Sequence, residues 1–459
     1  MTNLDFLIDN YSGVFLTDGL PLKAARERYR QRRDFLLSIL SEPALIFGVQ
    51  ESMNQGNSWL MAYHPLYQEP YFLYLTGIVQ ENTALYLNPK TKEVILFIPK
   101  KNKAKEFWDG KMFGLGDKES ELEAAIMTGI THLKPIKKLR RFIAENCKKQ
   151  LIVFDDKFGK VKPILKNNSY KFIAQLQTYL RRNKSSVLIS NQKQLEYDQR
   201  LQLDQVDIDN LHFANKKTGE VFISVLSSIK SFKSETQVAG FMKGEIYSQS
   251  ALGESFPLIV ANQKNATVLH YHKNNSVFSK NSMLLLDFGV RYFQMPADIS
   301  RTIPINGKFN PLQRLLYEIV LETQMKVELL CKAGVSIAEL NDSCWTCLEK
   351  LLFERFISKG GIAKREYDKQ PHNVSHLIAH CVHDGDPQRN YRTEALKENM
   401  VISNEPGLYG FFEMNIDGVL YSDYIGIRIE DNLLITKNGC KNLSESVPKS
   451  VTDLEQLMC

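Results

Sequence analysis

The stretch MLLLDFGVRYFQMPADISRT, residues 283–302, decides how the chain is read. Met283 to Leu286 make an apolar strand that ends on Asp287. The segment that follows has the length to fold back as a hairpin and bring Asp298 alongside. An antiparallel pair of this kind sets both carboxylates on one face, where cross-strand neighbours lie about 5 Å apart. A carboxylate buried beside an apolar strand is costly unless a cation or hydrogen-bond donors satisfy it. Two such groups side by side repel each other, and one or two divalent cations resolve the conflict. Taken alone, the two aspartates read more readily as turn or capping residues than as ligands.

Further along, the same arrangement recurs. Glu405 follows the strand-like run Met400 to Ile402 and is stopped by Pro406-Gly407, and Glu430 follows Ile425 to Ile429. Either glutamate alone reads as a buried carboxylate paired with Arg428 or Arg301. Histidines are distributed unevenly: His372, His376, His380 and His383 crowd one short stretch, and His270 and His272 form a second group. Four carboxylates with His376 make a hard, oxygen-rich set with one nitrogen. It suits Mn²⁺ and also accepts Co²⁺, Fe²⁺ or Zn²⁺.

In this order the motifs resemble the pita-bread metallopeptidases, which include methionine aminopeptidase, prolidase and aminopeptidase P. The resemblance is carried by GESFPLIVANQKNATVLHY (253–271), LLLDFG, ADISRT, HNVSHLIAHCVHD (372–384), SNEPGLY and GIRIED. GKFNPLQRLLYE (307–318) is similar to a helix start of the aminopeptidase P and prolidase branch. Nearer the start, RERYRQRRDFL (26–36), FLYLTG (72–77) and EFWDGKMFG (106–114) resemble the N-terminal domain of aminopeptidase P.

The resemblance implies an α+β pita-bread catalytic domain over residues 195–459, preceded by an α/β domain over 1–185. It implies a dinuclear metal site held by Asp287, Asp298, His376, Glu405 and Glu430, with Asp298 and Glu430 bridging. Glu405 would shuttle the proton, and His270 and His383 would hold the peptide and stabilise the tetrahedral intermediate. Arg428 would orient the ligands, while His372 and Tyr409 would border the substrate pocket. The implied reaction is hydrolysis between an N-terminal residue and proline by a homodimer or homotetramer. Prolidase, which takes only dipeptides, is the alternative, and a non-catalytic binding protein on the same fold is a more distant one. Departures from the family pattern are YHPLYQEPY before Phe72, Ser300 and Asn404 in place of threonines, and the bulkier His380-Cys381.

Composition agrees with a folded chain of two domains. The 459 residues are 43% hydrophobic and 24% charged, an ordinary globular balance. A net charge of +6 is spread thinly, and no basic stripe interleaved with aromatics points to nucleic acid. No run approaches the roughly 18 apolar residues of a membrane span, and the N-terminus lacks the pattern of a secretory signal. Seven scattered cysteines predict a reducing, cytoplasmic setting. The single CxxC, Cys344 to Cys347, falls in a helical pattern and reads as packing. Helices are predicted at Leu22 to Leu40, from Val206 onward and at Pro311 to Ala333. Strands are predicted at Phe72 to Leu75, Phe256 to Val260 and elsewhere.

Overall fold

Apolar runs that do not alternate belong to strands with both faces covered, and the first part of the chain is built on such strands. The computed structural model describes residues 4–49, 68–154, 168–249, 253–385 and 390–458. It divides into a first unit that runs to Arg200 and a second that starts at Leu201. The start of the YHPLYQEPY stretch, up to residue 67, lies outside the described residues.

In the first unit six strands form one mixed sheet: β1 (Ala44–Phe47), β2 (Ala84–Asn88), β3 (Glu93–Ile98), β4 (Leu133–Pro135), β5 (Gln150–Val153) and β6 (Leu188–Asn191), in the order β4-β3-β2-β1-β5-β6. Successive side chains go to opposite faces. Ala44, Ile46, Leu85 and Leu96 enter one hydrophobic cluster, and Leu45, Phe47, Tyr86 and Phe97 enter another.

The predicted strand at Phe72 to Leu75 is instead a helix, Pro70–Thr76. Its side chains are buried from Tyr71 to Thr76, so no periodicity shows. The signals that define it are Pro70 in the first turn and Gly77 at φ +70° as the left-handed cap, a pairing typical of helices. A Cβ on Gly77 would lie 2.5 Å from the Tyr29 ring. Arg32 Nη1 and Arg33 Nη1 donate to the carbonyls of Tyr74 and Leu75, placing cations at the negative end of that helix.

The second unit contains β7 (Ile259–Asn262), β8 (Met283–Phe288), β9 (Arg291–Tyr292), β10 (Met295–Pro296), β11 (Ile299–Pro304), β12 (Ile362–Arg365), β13 (Leu377–Ile378), β14 (Val401–Asn404), β15 (Gly407–Ile416), β16 (Val419–Arg428), β17 (Asp431–Ile435) and β18 (Cys440–Asn442). They form three main sheets, β11-β8-β7, β12-β15-β16 and β13-β14-β17-β18, with β9-β10 as a hairpin tip. The first strand starts at Ile259, later than predicted, because Pro257 has no N–H to give a ladder. Four long helices pack against the sheets: Gln205–Ser228, Glu235–Ser248, Pro311–Glu328 and Ile337–Arg355. Asn310 and Gln313 close a capping box at the start of the third, with Pro311 in its first turn. That helix ends at Glu328 rather than Ala333, leaving Leu329 exposed. The CxxC lies within the fourth, with Cys344 buried. Among the described residues no helix is long and apolar enough to cross a membrane.

Strand alternation separates core from site. Leu284, Leu286 and Phe288 of β8, and Ile425, Ile427 and Ile429 at the end of β16, enter the helix-packed core. Asp287, Arg428 and Glu430 therefore emerge on the other side.

Candidate metal centre

The ligand candidates sit at or near strand ends. β8 pairs with β11 so that Asp287 faces Ser300. Asp298, two residues earlier, is its diagonal neighbour on the same face. Glu405 follows the end of β14, Glu430 the end of β16, and His376 precedes β13. All but Glu405 are at most 8% exposed.

These five side chains converge. His376 Nε2 lies 3.4 Å from Asp298 Oδ2, 3.4 Å from Glu405 Oε1 and 4.0 Å from Glu430 Oε1. Three sets of potential ligand atoms each fall within 4.8 Å of one another: Asp287 with Asp298 and Glu430, His376 with Glu405 and Glu430, and Asp298 with His376 and His383. The last set brings His383 closer to the ligand cluster than its expected substrate role required.

The electrostatics show what the cluster lacks. Burial, and then the neighbouring Asp298, Glu405 and Asp287, push the Glu430 carboxyl well above its usual range. Burial raises Asp287 and Asp298 adds to it, with Arg428 opposing. Glu405 is pushed up to about 7, chiefly by burial. Burial disfavours the charged form of His376, yet Asp298 and Glu405 outweigh it and raise its pKa. Asp287 Oδ1 and Glu430 Oε1 are buried without a hydrogen-bond partner. The His376 ring directs Nδ1 at the Leu377 carbonyl at 3.3 Å, which leaves the Nε2 lone pair facing acceptors. Orphaned carboxylate oxygens and an imidazole lone pair aimed at one point fit divalent cations.

Around the ligands runs a hydrogen-bonded frame. Arg428 Nη2 donates to Asp287 Oδ2 at 2.6 Å, Nε to Ser300 Oγ at 2.8 Å and Nη1 to Tyr409 Oη at 3.2 Å. Ser300 Oγ in turn donates to Glu430 Oε2 at 2.8 Å, so serine performs the bridging that a threonine hydroxyl would. Ser403 Oγ accepts from His376 N and donates to Glu405 Oε1. Beneath Glu430, the buried pair Arg301–Asp431 meets Gln324 and Lys449, and Arg301 Nη1 donates to the Glu430 carbonyl.

A cavity of about 430 Å³ opens onto the ligands. Phe256, Pro257, Ile259 and Leu269 give it an apolar wall, and His270, His272, His372, His383, Tyr391 and Arg392 a polar one. Burial lowers the pKa of both His372 and His383 to about 4. Tyr409, expected to border this cavity, is 1% exposed and stands behind it. Its hydroxyl accepts from Arg428 and lies 3.0 Å from His372 Nε2, whose ring places Nδ1 2.9 Å from the Asn373 carbonyl. A Cβ on Gly407 would lie 2.2 Å from that hydroxyl. His380 is buried beside Asp207 at 3.7 Å and does not line the cavity. Tyr391, Arg392 and Ser300 were not singled out as site residues from the sequence. Loop residues and a small strand hydroxyl carry no pattern that marks them.

Comparison with known proteins gives a consistent result. Residues 209–437 match the metallopeptidase family M24, and residues 29–154 match the aminopeptidase P N-terminal domain. A Xaa-Pro aminopeptidase of Haemophilus influenzae is 27% identical over 454 residues, covering 95% of this chain and 98% of that protein. Mouse Xaa-Pro aminopeptidase 3 is 28% identical over 405 residues, covering 86% and 77%. Among solved structures, a putative aminopeptidase P from Bacillus anthracis is 26% identical with a TM-score of 0.77, covering 94% and 98%. E. coli aminopeptidase P with the inhibitor Pro-Leu is 24% identical with a TM-score of 0.79, again covering 94% and 98%. The second unit has the α+β pita-bread fold, and an aminopeptidase P N-terminal domain precedes it in the sequence.

Proposed function

Because the chain belongs to metallopeptidase family M24 and carries an aminopeptidase P N-terminal domain, we propose that this metallo-aminopeptidase removes an N-terminal residue that precedes proline. The observation that carries the reading is the convergence of Asp287, Asp298, His376, Glu405 and Glu430 at one point with buried oxygens left unpaired. The names of the full-length relatives support the Xaa-Pro specificity and do not favour prolidase. We assign residues 1–185 to the N-terminal domain and 195–459 to the catalytic domain.

Asp287 would hold one ion and His376 with Glu405 the other. Asp298 and Glu430 would bridge, since each falls both in the Asp287 set and in a set containing His376. Bound divalent ions, for which we favour Mn²⁺ from the hard donor set, supply Lewis-acid polarisation of the scissile carbonyl and acidify the attacking water. Glu405, held by Ser403 Oγ, accepts the proton from that water and delivers it to the leaving proline nitrogen. With pKa near 4, His383 is neutral at pH 7 and acts as an N–H donor to the developing oxyanion, together with His270. His372 is neutral for the same reason, and its ring is fixed by Tyr409. Arg428 holds Asp287 and, through Ser300, Glu430. The apolar wall from Phe256 to Leu269 suits a pyrrolidine ring.

A cytoplasmic location is in keeping with the free cysteines among the described residues, and a homodimer or homotetramer is the assembly we expect. The test is to give the purified, Mn²⁺-loaded chain a tripeptide with proline second. Release of the first residue is expected, and its absence with ions confirmed bound refutes the reading. Cleavage of an Xaa-Pro dipeptide alone would identify prolidase instead.

A further inference from the structure

His270 and His272 stand on a segment that has little regular structure to hold it. Between β7 and β8 the chain makes only a short 3₁₀ turn, Gln263–Thr267, and then runs without helix or strand from Val268 to Ser282. Both imidazoles line the cavity, with ring centroids 6.2 Å apart and planes at 20°. Tyr271 between them points the other way and is 7% exposed. Its hydroxyl donates to Glu235 Oε2 at 2.8 Å.

Glu235 opens the helix Glu235–Ser248 and has no exposure. Its carboxylate gathers four donors, all from the segment that carries the histidines. Asn262 N and Asn265 Nδ2 donate to Oε1 at 2.8 and 2.9 Å. Tyr271 Oη and Ser276 N donate to Oε2, both at 2.8 Å. Glu235 N donates back to the Ser276 carbonyl at 2.9 Å. An acid in the first turn of a helix ordinarily faces solvent and complements the dipole. A fully desolvated one persists because donors replace its water. Here the donors span the segment from Asn262 to Ser276, so a single carboxylate fixes where both ends and the middle lie. Anchoring Tyr271 inward directs the flanking histidines outward.

We propose that Glu235 is a positioning residue for His270, holding the 262–276 segment so that the imidazole is delivered to the substrate. The proposal rests on the substrate-holding role given to His270 above. Glutamine in its place offers one acceptor oxygen and an amide that donates, so one backbone N–H, of Asn262 or Ser276, and one side-chain donor would face a donor.

Three measurements test it. Glu235→Gln is expected to lower kcat/KM for an Xaa-Pro tripeptide by about 10- to 100-fold, the scale of a misplaced contact, with bound-ion stoichiometry unchanged. Combined with His270→Ala, it should cost no more than His270→Ala alone, because both changes remove the same contribution. Losses that multiply in the double variant, or a single variant within about twofold of wild type, overturn the proposal. Tyr271→Phe, which removes one donor and keeps the packing, repeats the cycle if Glu235→Gln does not fold. Amide hydrogen exchange across residues 263–277 should speed up in Glu235→Gln while 283–304 stays protected, and unchanged exchange also overturns the proposal. Exchange reads the anchoring without catalysis, so a wild-type chain inactive on Xaa-Pro peptides would refute the proposed activity and leave the anchoring decided separately.

Discussion

Ser300→Ala probes whether the frame around the ligands matters as much as the ligands. Among the described residues, the Ser300 hydroxyl is the one hydrogen-bonded link from Arg428 to Glu430: it accepts from Arg428 Nε at 2.8 Å and donates to Glu430 Oε2 at 2.8 Å. With the ions bound both partners are charged, and hydrogen bonds to charged groups contribute about 1.5–3 kcal/mol each. Arg428 would keep its bonds to Asp287 and Tyr409, so it stays in place and the loss is confined to the two bonds. Ser300 has no exposure, which limits replacement by water. We therefore expect the unfolding free energy of the ion-loaded chain to fall by about 3–6 kcal/mol. With Glu430 less well aimed, kcat/KM on a tripeptide should fall by about 10- to 100-fold. Ser300→Thr keeps the hydroxyl and should stay within about threefold of wild type. The assays are thermal or urea unfolding and steady-state hydrolysis across a Mn²⁺ titration. If Ser300→Ala matches wild type in both, the hydroxyl bridge is not what aligns Glu430.

Asp298→Ala and Glu430→Ala should each abolish hydrolysis and reduce bound ions below two per chain, measured by elemental analysis; full occupancy in either contradicts the bridging assignment. Gly407→Ala puts a Cβ where the Tyr409 hydroxyl now lies, 2.2 Å away. It should raise KM and lower kcat through His372 and Arg428, and unchanged kinetics would show that the tyrosine is free to move. Asp431 is held at about 2, because Arg301 and Lys449 outweigh its burial. Its folded pKa is depressed, so its contribution of about 2 kcal/mol is full above pH 4 and is lost as pH falls towards 2. Urea unfolding between pH 5 and 2.5 should show that decline, and Asp431→Asn, less stable at pH 7, should flatten it.

The candidate centre was legible chiefly because its motifs, in their order, resemble the pita-bread metallopeptidases; the carboxylates alone left turn, capping and ion-pair readings open. That β8 and β11 form a hairpin with both aspartates on one face was legible too, but not its register, which sets Asp287 opposite Ser300 and Asp298 on the diagonal. Other features had no local signature. The helix Pro70–Thr76 is buried on nearly every side, so its apolar residues show neither period, and only its proline and glycine mark its ends. Tyr409 lies behind the cavity because the Gly407 backbone makes room for its hydroxyl, a close approach that spacing does not encode. Glu235 looks like an ordinary first-turn acid, and its burial depends on a segment that starts 27 residues later, at Asn262. Arg392 lies in a single 3₁₀ turn, Tyr391–Thr393, too short to show a period.

The placement of the ligands at strand ends has a consequence for the order of events in the life of the chain. Asp287 and Glu430 are separated by 143 positions, and β8, β11, β13, β14 and β16 must all be in register before their termini meet. At a synthesis rate of about 5–20 residues per second, Asp287 waits roughly 7–30 s for its last partner to be made. On the proposed ligand set, a nascent chain that ends before Glu430 would lack one of the two bridging carboxylates, so the full set of five would form only after residue 430 is made. Filling of the two-ion site would then report on completion: a chain stalled before Glu430 should bind fewer ions than the finished one and cleave no Xaa-Pro peptide.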